Sequence, residues 1–130
     1  MTDLDSRVRE LAQAPNFATL SVILRSGRPM THVMWVDADE NHVLINTEAH
    51  RAKFRAVERD PRVTVTIWQR DDPYTYAEVR GQVVATVRGQ EARAHIDSLS
   101  RKYRGKDYDD SAITSERVIL RIAPETVRFH

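Results

Sequence analysis

The segment Asn46-Thr47-Glu48-Ala49-His50-Arg51-Ala52-Lys53-Phe54-Arg55 carries the most informative chemistry in the chain. It reads as a strand end running into a helix start, with its basic side chains in the first turn. Cations at a helix N-terminus oppose the helix dipole unless an anion sits there. With an anion present, free backbone N–H groups, Arg51 and Lys53 would converge on it. From Arg51 to Arg62 there are five Arg or Lys against two acids, in a chain whose net charge is only +1. Composition alone leaves two readings open, an anion cradle or an ordinary solvated helix face.

Other chemistry-bearing residues are sparser. Asp37, Asp39, Asn41 and Glu48 occupy positions 1, 3, 5 and 12 of a calcium-loop pattern, but His42 stands where that loop needs Gly. A hairpin turn plus an unrelated Glu is the better reading. Five histidines, at 32, 42, 50, 95 and 130, show no metal-binding spacing, so no metal site is expected. His95 reads as a surface or packing residue on a helix, and His32 as a candidate proton donor or a plain strand or dimer-contact residue. Tyr74 and Tyr76, two apart in a strand, project from one face. They could close over a flat ligand or pack in a core or subunit interface. There is no recognisable Ser-His-Asp constellation, P-loop or dinucleotide-binding glycine fingerprint.

The elements that must position these residues follow from periodicity. Residues 3–14 read as an amphipathic helix with Leu4, Val8, Leu11 and Ala12 on one face, Thr2 and Asp5 as its cap, and Pro15 as its stop. Alternation then marks a strand over 17–24, a turn at Ser26–Pro29 and a second strand over 30–36. A polar turn at 37–41 leads to a third strand over 43–46, which together imply an antiparallel meander. A short helix over 50–59 ends before Asp60-Pro61. Strands over 63–68 and 75–87 follow, the longer with Gly81 in its interior, a sign of a bend or bulge. A helix over 90–103, a polar loop over 105–110, a strand over 118–122 and a short tail strand over 126–129 complete the chain. Six or seven strands with three helices outside them suggest a small closed antiparallel barrel, which would remove exposed sheet edges.

The chain has 130 residues, 41% hydrophobic and 30% charged. That length suits one core and one set of sites. The near-neutral balance argues against a nucleic-acid binder held by bulk charge. No cysteine means no disulfide, thiolate metal site or Cys nucleophile. Apolar runs are strand-sized, well short of the ~20 residues of a membrane span. The acidic N-terminus lacks an apolar signal core, so a cytoplasmic protein is expected.

Taken together, the order of elements and the motifs resemble a known family. Ala18-Thr19-Leu20-Ser21, Gly27-Arg28-Pro29, Val33-Met34-Trp35, Asn46-Thr47 leading to Arg51-Ala52-Lys53, Arg59-Asp60-Pro61-Arg62-Val63, Glu78-Val79-Arg80-Gly81 and Lys102-Tyr103-Arg104-Gly105-Lys106-Asp107 carry the likeness. The chain resembles the flavin and deazaflavin oxidoreductase family, whose split β-barrel is shared with pyridoxamine 5'-phosphate oxidase. Within it, the chain is most similar to the small actinobacterial branch that uses coenzyme F420.

The resemblance implies a mainly β fold with flanking helices, a dimeric split antiparallel barrel of the FMN-binding type, with residues 1–130 as a single cofactor-binding domain. It implies a homodimer with cofactors in grooves between subunits. Arg51 and Lys53 would hold the phosphate, with His50 and Ala52 in the same turn. Asn46 and Thr47 would face the ribityl chain. Met30, Thr31, His32, Val33 and Met34 would run beneath the deazaflavin ring, and Tyr74 and Tyr76 would approach from the partner subunit. The implied activity is an F420-dependent reductase passing hydride from the reduced cofactor to an electron-poor double bond of a small apolar substrate. Water or His32 would supply the proton. An FMN-binding oxidoreductase of the same fold and a non-catalytic F420 carrier are the alternatives.

Overall fold

The computed structural model describes residues 3–130. Three α-helices, α1 (Ser6–Gln13), α2 (Ala52–Arg59) and α3 (Gln90–Arg104), surround seven strands. These are β1 (Phe17–Ile23), β2 (Pro29–Trp35), β3 (Asp37–Ala38), β4 (Val43–Glu48), β5 (Arg62–Gln69), β6 (Asp72–Val87) and β7 (Arg117–Phe129). A single 3-10 turn at Asp110–Ala112 precedes β7.

Local chemistry explains most boundaries. Asp5 is itself the cap of α1, its carboxylate accepting the Arg7 backbone N–H at 2.8 Å; the expected cap Thr2 lies outside the described residues. In β1 the side chains alternate strictly, with Ala18, Leu20 and Val22 buried. α2 begins two residues later than the sequence suggests, because Arg51 has extended backbone and serves as the N-cap. The turn expected at 37–41 is tighter than read. Asp37–Ala38 pairs with Val43 and Leu44, and the Asp39 carboxylate accepts the N–H groups of Asn41 and His42 at 2.9 and 2.7 Å.

The sheet is wholly antiparallel and runs β2-β1-β5-β6-β7-β4-β3. This corrects the expected meander. β4 does not continue the β1–β2 hairpin; it crosses to β7 and pairs over Val43↔Ile122 through Glu48↔Arg117. Apolar burial accounts for the choice. β7 offers Val118, Leu120 and Ile122, all fully buried, whereas Thr31, His32 and Val33 of β2 are exposed. The order also corrects the closed barrel. No ladder joins β2 to β3 or β4 among the described residues, so the sheet curls into a half-barrel that stays split between β2 and β4.

The last two expected strands are one. β7 runs through Pro124, which sits opposite Gly81 where the β6–β7 register shifts. A proline without an N–H is tolerated where the ladder is already irregular. At Gly81 a Cβ would overlap the Ala123 carbonyl, so only Gly allows β7 this approach. The barrel core gathers residues such as Leu20, Ile45, Val65, Ile67 and Leu120, closed by Leu4 and Val8 beside α1 and by Phe54 and Val57 of α2. α3 covers the sheet separately with Ala92, Ile96 and Leu99.

Gly81→Ala should destabilise the protein by about 1–3 kcal/mol, the usual penalty for overpacking, because the clashing partner is backbone. Urea unfolding measures it; an unchanged midpoint would contradict the close approach.

Candidate functional site

The split is not empty of chemistry. A cleft of about 590 Å³ lies between β2 and β4, with β2 on one wall and the β4–α2 turn on the other. Thr31, His32, Val33 and Met34 line it from β2, and Asn46, Thr47 and Glu48 from β4. Arg51, Lys53 and Arg117 bring three cationic side chains to it, against the single carboxylate of Glu48. Tyr108 and Ala112 border it from the segment after α3.

The charges there are unbalanced. Lys53 is 4% exposed, and burial, followed by the charges of Arg51 and Arg117, holds its ammonium down to about 8 from an ordinary 10.5. Neither Lys53 nor Arg51 makes an ion pair among the described residues. Desolvation, then the charges of Lys53 and Arg51, lowers His32 as well, which favours neutral imidazole near pH 7. At the start of α2 the N–H groups of Phe54 and Arg55 donate to the Arg51 carbonyl at 3.1 and 3.3 Å, which leaves those of Ala52 and Lys53 without a backbone partner, and no acid stands in that turn. Two amides, the Arg51 guanidinium and the buried Lys53 ammonium at one cavity suit a phosphate or another multiply charged anion.

The other charged pair is already satisfied. Arg117 donates through Nε to Asn46 Oδ1 at 2.8 Å and through Nη1 to Glu48 Oε1 at 3.2 Å. Glu48 Oε2 also accepts the backbone N–H groups of Thr114 and Ser115 at 3.0 and 2.8 Å. Burial would raise the Glu48 carboxyl, but these N–H groups, the Ser115 hydroxyl and Arg117 outweigh it and hold the group below its usual value. Asn46 donates through Nδ2 to the Ala92 carbonyl at 3.0 Å and to His95 Nδ1 at 3.1 Å. That leaves His95 Nε2–H to donate to Asp37 at 3.0 Å. One polar chain therefore runs Asp37–His95–Asn46–Arg117–Glu48.

The remaining predicted site residues lie elsewhere. Met30 is partly buried against the core. His50 sets its Nδ1 2.6 Å from Ser115 Oγ and 3.6 Å from Glu48 Oε2 without lining the cleft, and Ala52 is exposed outside the cleft lining. Tyr74 is 79% exposed, and Tyr76 stacks on His130 with centroids 5.1 Å apart; neither lines this cleft. His95 is a bridging residue within the polar chain, beyond the packing role read for it. The carboxylates of the calcium-like pattern are dispersed: Asp37 meets His95, Asp39 caps its own turn and Glu48 meets β7.

Arg117 and Tyr108 were not foreseen. Arg117 opens an apolar strand, and an Arg at that junction is the one signal that could have marked it. The Lys102-Tyr103 motif has a structural part: Lys102 Nζ donates to the carbonyls of Val36 and Ala12 at 2.6 and 3.1 Å. The Tyr103 hydroxyl donates to the Asn16 carbonyl and accepts the Val36 N–H at 3.2 Å.

A curled antiparallel half-barrel with flanking helices and its cleft in the split is the flavin-type split barrel. The family model described as pyridoxamine 5'-phosphate oxidase matches residues 4–130, and the chain belongs to that family. Among solved structures, an F420 reductase is similar at 26% identity and a TM-score of 0.82, covering 96% of this chain and 98% of its own. A conserved hypothetical protein from Mycobacterium tuberculosis aligns at 23% identity and a TM-score of 0.73, over 99% of this chain and 85% of that one. General stress protein 26 from Bacillus anthracis aligns at 18% and 0.65, over 95% and 91%. The last two show the fold alone. No curated protein matches the sequence.

Lys53→Met keeps the buried stem and removes the uncompensated charge. Because the folded value is lowered, the penalty is fully present below about pH 8. It is relieved as pH rises toward 10.5, where the unfolded chain binds the proton the folded chain has released. Without ligand, the variant should melt roughly 2–6 °C higher than wild type near neutral pH, the shift about 1 kcal/mol produces in a domain of this size. The gap should narrow above about pH 8, and scanning fluorimetry across pH checks both. A variant that melts lower at neutral pH would show that Lys53 is already neutralised.

Proposed function

We propose that this chain is an F420-dependent reductase, a homodimer whose cofactor phosphate lies on Arg51, Lys53 and the first-turn amides of α2. The observation that carries the reading is the buried, unpaired Lys53 ammonium beside Arg51 in the split of the barrel. A bound deazaflavin would supply a hydride to one carbon of an electron-poor double bond in a small apolar substrate, a proton adding to the neighbouring carbon as the cofactor is oxidised.

The protein's own part is binding, orientation and shielding. Thr47 borders the path from the phosphate end toward β2. Among the described residues β2 pairs only with β1, so its outer edge has backbone donors and acceptors free for the polar rim of a ring. Asn46, with both ends of its amide engaged, holds Arg117 and His95 in place. His32 sits at the cleft in a setting that favours the neutral form, and an anion between Lys53 and Arg51 would counter their push on it. Water or the His32 N–H is the proton source in this reading. The similarity to an F420 reductase supports F420 over FMN. Dimerisation is supported by exposed apolar side chains, Val33 at 65% and Tyr74 at 79% among them. In that dimer Tyr74 and Tyr76 close over the other subunit's cofactor, Met30 runs beneath its ring, and His50 and Ala52 line the turn at its phosphate. Residues 1–130 act as one cytoplasmic cofactor-binding unit.

Arg51→Ala and Lys53→Ala should each weaken F420 binding by about 1.5–3 kcal/mol, roughly a ten- to hundredfold rise in Kd. Fluorescence titration of the purified protein reads this. Micromolar FMN binding with no F420 binding would overturn the cofactor assignment. Oxidation of reduced F420 by quinones or enones above background separates a reductase from a carrier. Light scattering should give the mass of two chains.

A further inference from the structure

The cleft does not end at the cationic turn. Beyond Val33 and Met34 it continues into a second compartment of about 290 Å³ on the α3 side. Its character is different. Trp35 ends β2 there, its ring parallel to Tyr103 with centroids 5.0 Å apart and an interplanar angle of 6°. Tyr103 is fixed by its hydroxyl between Asn16 and Val36. Tyr108 meets Trp35 edge-on at 6.2 Å and 87°. Ile96 and Leu99 of α3 complete an apolar wall.

Two guanidinium groups stand at this aromatic box. Arg104 lies over the Trp35 ring at 5.0 Å and Arg117 over the Tyr108 ring at 5.3 Å. Among the described residues no carboxylate lines the compartment. Neighbouring arginines have acids: Arg93 meets Asp97 and Asp110, and Arg101 meets Asp107. Arg104 makes no ion pair among the described residues, and Arg117 commits Nε and Nη1 to Asn46 and Glu48, which leaves its Nη2. A planar guanidinium held by an aromatic face is pre-ordered for a carboxylate, and the flat ring walls favour a conjugated partner.

Resting on the cofactor reading above, we propose that this second compartment binds the co-substrate, and that it selects a planar conjugated molecule bearing a carboxylate, its ring against Trp35 and Tyr108 and its carboxylate on Arg104. The compartment shares Val33, Met34 and Asn46 with the larger cleft, so a molecule seated here borders whatever ring lies along β2.

The test uses the full chain and naphthoate as probe, with naphthalene-methanol as its uncharged counterpart. Calorimetry should give naphthoate at least about tenfold tighter binding, and Arg104→Gln should erase that preference, as expected for loss of one charge-assisted contact. In a Trp68→Phe background, naphthoate should quench Trp35 emission. F420 affinity should be unchanged in Arg104→Gln, and saturating F420 should not displace naphthoate. Equal affinity for the two probes, an unaltered naphthoate Kd in Arg104→Gln, or displacement by F420 would each overturn the proposal. A chain that binds naphthoate but takes up no F420 would overturn the cofactor reading alone; one that binds F420 but not naphthoate would overturn this inference alone.

Discussion

Arg117 and Glu48 face each other across the β4–β7 ladder, and the cleft depends on that buried pair. Both side chains are 9% exposed. Two charges taken out of water at this depth repay their desolvation only when their remaining hydrogen-bonding groups are satisfied. Here they largely are. Arg117 also holds Asn46, and Glu48 also holds the N–H groups of Thr114 and Ser115. The pair thus ties β4, β7 and the segment before β7 into one wall, and through Asn46 it reaches the Ala92 carbonyl and His95 on α3.

That arrangement has an electrostatic consequence. With its oxygens taken by Arg117, Thr114 and Ser115, Glu48 cannot also neutralise Lys53. The cleft keeps a buried ammonium that its own carboxylate does not serve, beside Arg51. A protein selected for stability alone would place an apolar side chain at such a position. Charge retained at a site where it is destabilising marks a site organised for a ligand, and the open N-terminus of α2 states the sign of that ligand independently.

Much of this was readable along the chain. The alternation of Ala18, Leu20 and Val22, the helical spacing of Phe54 and Val57, and the strand irregularity marked by Gly81 are local signals, and each appears in the structure where expected. The Arg51–Lys53 turn was visible as a local excess of charge, though its burial was not. What escaped the sequence is non-local. Which strand β4 pairs with depends on apolar surface on β7, about seventy residues away, and not on any pattern within β4. Arg117 and Tyr108 reach the cleft only because of that pairing. His95 reads as a surface or packing residue because nothing in its helix announces Asp37 or Asn46. The strand over 118–122 and the tail over 126–129 are one because β7 continues through Pro124 opposite Gly81, a pairing that no local pattern announces.

The unclosed edge of the barrel follows from the same pairing. Closing the sheet would satisfy the outer backbone groups of β2, and an exposed edge is ordinarily a liability that folds remove. In this fold α3, locked to the β2–β3 corner by Lys102 and Tyr103, covers one end of the gap without filling it. What remains is a slot with cations at one end, aromatic rings at the other and unpaired strand edge along its side. Those three features come from separate stretches of sequence, and only the decision of β4 to leave β2 brings them to one place. The failure to close is therefore the structural event that creates the site, and the buried Arg117–Glu48 pair braces the β4–β7 wall beside it.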